Sequence, residues 1–222
     1  MPQVNLSKTP IVNLTKGQVV NLTKDGTSKT SGLTNVFFGA KWGQIQHKGF
    51  LGFGKSYESV DLDATLILYD SSYSVIDTVY YGHKTSWCGA IHHSGDDLTG
   101  TSGSELENDN ETISINLKDV NPRAKYIVAI LNSYRHHKFD EIPYMKLRIY
   151  TDRAGNPDEV LCAYNIDNDE SFKNKEAVVL GFFYKDASEG WKFRADGTTT
   201  NERGIDEIRS GSAKTVIRNS NV

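Results

Sequence analysis

Cysteine appears only twice in the 222 residues, at Cys88 and Cys162. That is too sparse for the disulfide framework of small secreted domains, so reduced thiols in a cytoplasm are the default reading. An excess of one charge is also missing. The 25 Lys and Arg face 28 Asp and Glu, a net charge of −3, which leaves no basic field to grip a phosphate backbone; nucleic acid is not an expected partner. No run approaches the roughly 18 unbroken apolar residues of a membrane span, and the N-terminus has neither the charged nor the apolar region of a signal peptide. The expectation is a soluble, cytoplasmic chain. Long amphipathic helices with caps are absent as well, and so are a nucleophile elbow, a Cys–His pair with an orienting group and a phosphate-cradling glycine loop. An enzyme is not expected.

What fills the chain is strand pattern. Tyr, Phe, Val and Ile recur in short runs such as "VDLDATLILYD", "ETISINL", "KYIVAILNSY", "MKLRIYT" and "EAVVLGFFYK", separated by turn-forming "DSSY", "NPRAK" and "DRAGNPDE". Many short strands without long helices imply an all-β, two-sheet sandwich or barrel of mainly antiparallel strands with acidic loops at one rim. The N-terminus writes nearly the same five letters three times, at Val4, Val12 and Val20. The apolar–polar–apolar "VNL" followed by turn residues reads as a strand and a turn, so Ile11–Thr15 and Val19–Thr23 are expected as adjacent strands. Val4–Lys8 is an extra edge strand or arm, and residues 1–10 are set apart from a domain over 11–200. From Asn201 onward apolar density falls, and 201–222 is expected to be a peripheral tail with one short helix or strand near Ile205–Ile208.

Chemistry concentrates in two acidic stretches. In "SVDLDATLILY" the residues Val60, Leu62, Ala64, Leu66 and Leu68 form one apolar face, so Asp61 and Asp63 share the other, about 7 Å apart at strand rise. The second stretch, Ser94 to Asn110, holds three glycines with Asp96, Asp97, Glu105, Glu107 and Asp109 and no Lys or Arg. Such a loop supplies the oxygens that a hard cation such as calcium requires, although the spacing is not that of an EF-hand. A hydrated acidic loop without metal accounts for the same residues.

The ordered set "VNLTKGQVVNLTKDG", "VDLDATLILYD", "HHSGDDLTG", "NETISINL" and "VVLGFFYK…GWKFRADG" resembles the TerD-type tellurite-resistance and general-stress proteins over Val12 to Gly197. The resemblance implies a β-sandwich with one or two calcium ions in acidic loops and a cytoplasmic role in stress response. The ligand set it implies is Asp61, Asp63, Asp96, Asp97, Asp109 and Glu111, with Asn110 where a second aspartate is expected but able to offer its amide oxygen. The chain departs from the family at "GTSGSELENDNE", which is longer and less acidic than the usual run, so weaker calcium binding is expected.

Two function classes follow. The first is a non-catalytic calcium-binding module whose loops are ordered by the ion for binding other proteins. The second is a structural or self-assembling sandwich that uses its N-terminal strands and needs no metal. Among smaller motifs, "HKTSWCGAIHH" invites a zinc reading through Cys88, His92 and either His83 or His93. Against it, the second half of a zinc pattern is absent, and His93 is better placed to hydrogen-bond the acidic turn. "RHHK" at Arg135–Lys138 reads as a solvated loop, and "NIDNDES" as a polar turn.

Overall fold

The computed structural model describes residues 16–22, 34–48, 54–101, 108–153, 156–165, 170–187 and 190–222. Two antiparallel sheets dominate. The larger one runs in the order β1 (Val19–Asn21), β13 (Gly190–Thr200), β12 (Ala177–Asp186), β9 (Tyr126–Ser133), β5 (Leu62–Tyr69) and β6 (Val75–Val79). The smaller one runs β11 (Asn156–Asn165), β10 (Met145–Arg153), β2 (Asn35–Trp42), β8 (Glu111–Asn116) and β7 (Ile91–His93). A separate hairpin joins β3 (Ile45–Lys48) to β4 (Lys55–Glu58).

The expected apolar face of β5 lies where alternation puts it. Val60, Leu62, Ala64, Leu66 and Leu68 all join one core with Val36, Phe38, Ala40 and Trp42 of β2 and Ile113 and Ile115 of β8. That shared core between two sheets makes the molecule a β-sandwich. Of the three N-terminal copies, the one at Val20 forms β1, with Val20 opposite Phe193 and Leu22 buried. The copies at Val4 and Val12 lie outside the described residues.

A strand buried on both faces reads as a continuous apolar run rather than an alternation. The runs "YIVAIL" of β9 and "AVVLGFF" of β12 are of that kind, and all eight residues of β9 are buried. The outer face of β5, β9 and β12 carries a second core: Ile67, Tyr69, Tyr126, Val128, Ile130, Val179, Phe182 and Tyr184. It is closed by two short helices, α1 (Gly204–Ser210) and α2 (Ser212–Arg218), through Ile208, Ala213, Val216 and Ile217. This corrects the expectation of a peripheral tail. Residues 201–222 are thin in apolar side chains, but those few sit at helical spacing on one buried face.

In β12 the alternation slips once. Leu180 faces the inner core and Phe182 the outer, with a register shift at Gly181. A Cβ at Gly181 would stand 2.3 Å from the carbonyl oxygen of Arg194, so only glycine lets the neighbouring strand come this close.

Candidate metal centre

β5 pairs with β9 along its whole length, from Leu62 opposite Ser133 to Tyr69 opposite Tyr126, but with β6 only from Leu66 to Tyr69. Its first residues therefore have a free edge. At Ala64 two side chains take the place of the missing strand. Ala64 donates its N–H to Glu111 Oε2 at 2.8 Å, and His93 Nε2 donates to the Ala64 carbonyl at 3.2 Å. Gly95 donates to His93 Nδ1 at 3.0 Å, which places the ring proton on Nε2. The other oxygen of Glu111 accepts the N–H of Asp97 at 3.3 Å. Glu111 and His93, both fully buried side chains, thus tie the loop after β7 to the rim of β5.

That tie brings Asp96 beside Asp61 and Asp63. One carboxylate oxygen from each lies within 4.8 Å of the others. Asp61 and Asp63 are each 2% exposed, whereas Asp96 faces solvent. Arg135 Nε lies 3.4 Å from Asp61 Oδ2, while Asp61 Oδ1 is buried with no hydrogen-bond donor. Asp63 Oδ2 accepts one bond, from Asn132 Nδ2 at 3.1 Å. Burial pushes the Asp63 carboxyl from its ordinary 3.8 up to about 7, helped by the charges of Glu111, Asp61 and Asp96. Asp61 is raised for the same reason, burial first and then Asp96, against the pull of Arg135.

This cluster has a pH signature in the ion-free protein. Asp63 holds its proton more tightly folded than unfolded, so the folded state binds the extra proton between pH 4 and 7. Stability from this group is full below about pH 4 and is lost as pH rises through about 7. Chemical denaturation of chelator-treated protein across that range is expected to show the fall, and Asp63→Asn is expected to flatten it.

The remaining acidic residues of the two stretches have other partners. Asp97 Oδ1 accepts from Thr99 N–H and Oγ1 and from Gly100 N–H at 2.9 to 3.0 Å, and Oδ2 accepts from Asn110 Nδ2 at 2.8 Å. Burial works to raise its pKa, but the Asn110 amide and the loop N–H groups outweigh it and hold the carboxyl low. Asn110 passes the link inward, its Oδ1 accepting the N–H of Trp42 at 2.9 Å. Asp109 meets Arg148 Nε with both oxygens, at 2.9 and 3.1 Å, above Gly39, where a Cβ would lie 2.0 Å from its carboxylate. The seven residues singled out in the sequence therefore divide. Asp61, Asp63 and Asp96 converge, Glu111, Asp97 and Asn110 shape the loop that brings Asp96 in, and Asp109, just before β8, stands apart in its pair with Arg148 of β10.

Sequence reasoning missed Arg135 and Asn132. Asn132 lies opposite Asp63 in the β5–β9 register, and Arg135 follows three residues later. Of the other "RHHK" residues, His136 and Lys138 meet the buried Glu176, and His137 meets Glu58. Each has a carboxylate partner, so this loop is not merely solvated. The zinc candidates do not converge. Cys88 is exposed, His92 sits against Thr85, and His83 lies against Asp77 and the ring of Trp87. Among the described residues, the three aspartates are the one group of three or more His, Cys, Asp or Glu side chains whose ligand atoms all lie within 4.8 Å of one another. Residues 166–169, with most of "NIDNDES", lie outside them.

Two antiparallel sheets around one core, with buried carboxylates converging at the rim of β5, define an acidic-rim β-sandwich. The chain belongs to the TerD domain family, whose pattern matches residues 11–210. It is 33% identical over 194 residues to the tellurium resistance protein TerZ of Serratia marcescens, covering 86% of this chain and 94% of that protein. Against the stress response protein SCP2 of Bacillus subtilis (strain 168) it is 28% identical over 197 residues, 84% of this chain and 93% of the other. The fold is similar to the crystal structure of a homologue of the telluride resistance protein TerD from Streptomyces coelicolor A3(2). There the TM-score is 0.63 at 17% identity, over 82% of this chain and 98% of that one. No helix among the described residues is long and apolar enough to cross a membrane.

Proposed function

We propose that this protein is a non-catalytic, calcium-binding member of the tellurium-resistance and stress-response family. In this reading one ion, held by Asp61, Asp63 and Asp96, orders the rim loop for binding another protein in the cytoplasm. The observation that carries it is Asp61 Oδ1, a buried carboxylate oxygen without a donor, beside two further carboxylates within 4.8 Å. A buried acceptor left unpaired is costly, and three like charges held together repel. A hard divalent cation relieves both at once. The donors are all oxygens, which suits calcium, and water and backbone carbonyls can fill its larger shell. Magnesium demands near-octahedral geometry and gives up water reluctantly, so it suits a cluster fixed at the start of β5 by Asp61 and Asp63 less well. The exposed Leu98, in the loop that Asp97 and Glu111 hold, gives an ordered rim an apolar contact for a partner.

The test is terbium emission sensitised by aromatic side chains. Tyr81 lines the same cleft as Asp63, so a terbium ion at the cluster is expected to luminesce on aromatic excitation. Calcium should displace it at concentrations well below those magnesium requires. Equal displacement by the two ions, or emission that survives Asp61→Asn, counts against the site and favours a structural sandwich with no required metal.

A further inference from the structure

Beside the aspartate cluster, on the outer face of the larger sheet, lies a cleft of about 260 Å³ that shares Asp63 with it. Asp63 and Asn132 form its floor, Thr78, Tyr80, Tyr81 and Tyr134 its walls, and the first turn of α1 with Arg209 its far side. Tyr81 stands edge-on to both Tyr80, at 5.3 Å between ring centres, and Tyr134, at 6.3 Å. Tyr134 is 59% exposed. Arg209 reaches Asp206 with Nη2 at 2.6 Å and Thr78 Oγ1 with Nη1 at 3.5 Å. Asn132 spends its amide N–H on Asp63, and its Oδ1 is buried without a donor.

These groups select a ligand by elimination. Asp63 and Asp206, with Asp61 and Asp96 close behind, repel an anion. Asp206 is already paired with Arg209 and the ion takes the charge of Asp63, so no free carboxylate is left to hold a small organic cation. A purely apolar group would leave the buried Asn132 Oδ1 still without a donor. What remains is a neutral molecule whose polar groups both donate and accept and whose ring face can lie on tyrosine. The tyrosines give amphipathic walls, Asp63 and Asn132 accept, and Arg209 and the phenols donate. The volume is at the small end for ligand sites, enough for a single ring.

We propose that the cleft binds a neutral, hydroxyl-rich ring of monosaccharide size, with vicinal hydroxyls turned toward the cation end at Asp63. The proposal rests on the calcium reading in that one respect, since the ion neutralises the carboxylate that the ligand approaches.

Saturation-transfer NMR on the full chain tests it, with D-mannose, D-ribose and myo-inositol as probes in excess calcium and with putrescine and succinate as the charged controls. Saturation is expected to reach at least one of the three neutral probes and neither control. Tyr134→Ala and Arg209→Ala should each weaken that binding by about tenfold or more, the scale of an aromatic face or a charged hydrogen bond. Both variants should keep the parent's calcium affinity and melting temperature to within a few degrees. If calcium binds but no neutral probe is saturated, or if binding ignores both substitutions, the cleft proposal falls and the metal reading stands. Transfer only to putrescine or only to succinate overturns the ligand class. If calcium itself does not bind, both are lost.

Discussion

Calcium is expected to raise the melting temperature of chelator-stripped protein by about 5–10 °C at one hundred times the dissociation constant, and Asp63→Asn to remove most of that rise. The size follows from linkage. A ligand that binds only the native state adds RT ln(1 + [L]/Kd), about 2.7 kcal/mol at that ratio, and each kcal/mol moves the midpoint of a domain this size by roughly 2–4 °C. The direction follows from the site. Without the ion, Asp63 is buried beside Asp61, Asp96 and Glu111, and its charged form is disfavoured. Removing its charge relieves a repulsion, so ion-free Asp63→Asn should melt no lower than the ion-free parent. Asp109→Asn is the contrasting control. It breaks the Arg148 pair and should lower stability with and without calcium alike, leaving the calcium-dependent rise intact. Loss of the rise in Asp109→Asn would show that the acidic residues act as one larger site.

The second large effect is expected at the C-terminus. Ile217→Ala should cost about 2–5 kcal/mol, the range for emptying a buried Ile side chain, whereas Thr215→Ala on the exposed side of the same helix should stay within about 0.5 kcal/mol. Ile217 is 1% exposed and packs with Ile208, Ala213 and Val216 against the outer core. The C-terminal segment, helices and the residues after them, also satisfies polar groups of the sheet. Tyr69 donates its hydroxyl to the Arg209 carbonyl at 2.6 Å, Tyr126 to that of Val222 at 2.9 Å, and Arg194 donates to Ser220 at 2.8 Å. Deleting residues 202–222 would bare Ile67, Val128, Ile130, Val179 and Phe182 on one sheet face. An exposed apolar area of that kind drives association, so the truncated chain is expected to aggregate. A monomeric truncated form with an unchanged melting temperature would show that the outer core is dispensable.

The sandwich was legible in the sequence because burial on one face writes itself as alternation. Glu111–Asn116 in β8 alternates buried and half-buried positions without a break, whereas in β5 the apolar side chains from Val60 to Leu68 mark the inner face although its outer face is buried too. The outer cover was legible only indirectly. Runs such as "YIVAILNS" already require both faces of β9 to be dry, which the sparse apolar content of the tail concealed. For the site, period two put Asp61 and Asp63 on a common face, and their closeness to Asp96 follows from Glu111 and His93 capping the bare edge at Ala64. No local pattern announces that cap, because it depends on where β6 stops pairing. The roles of Asp97 and Asp109 separate for similar reasons. Asp97 carries a local signal, a turn residue two places before Thr99 whose carboxylate binds the loop's own N–H groups. Asp109 carries none, since its partner Arg148 is brought in by pairing of β2 with both β8 and β10.

The most direct test of the central claim is calorimetric titration of calcium into chelator-stripped protein, run on the parent and on Asp61→Asn. A cation at the converging aspartates predicts one saturable calcium per chain in the parent and its loss, or a large weakening, in the variant, because Asp61 brings the buried oxygen that has no other partner. Absence of saturable calcium binding in the parent, or an isotherm unchanged by Asp61→Asn, would contradict it.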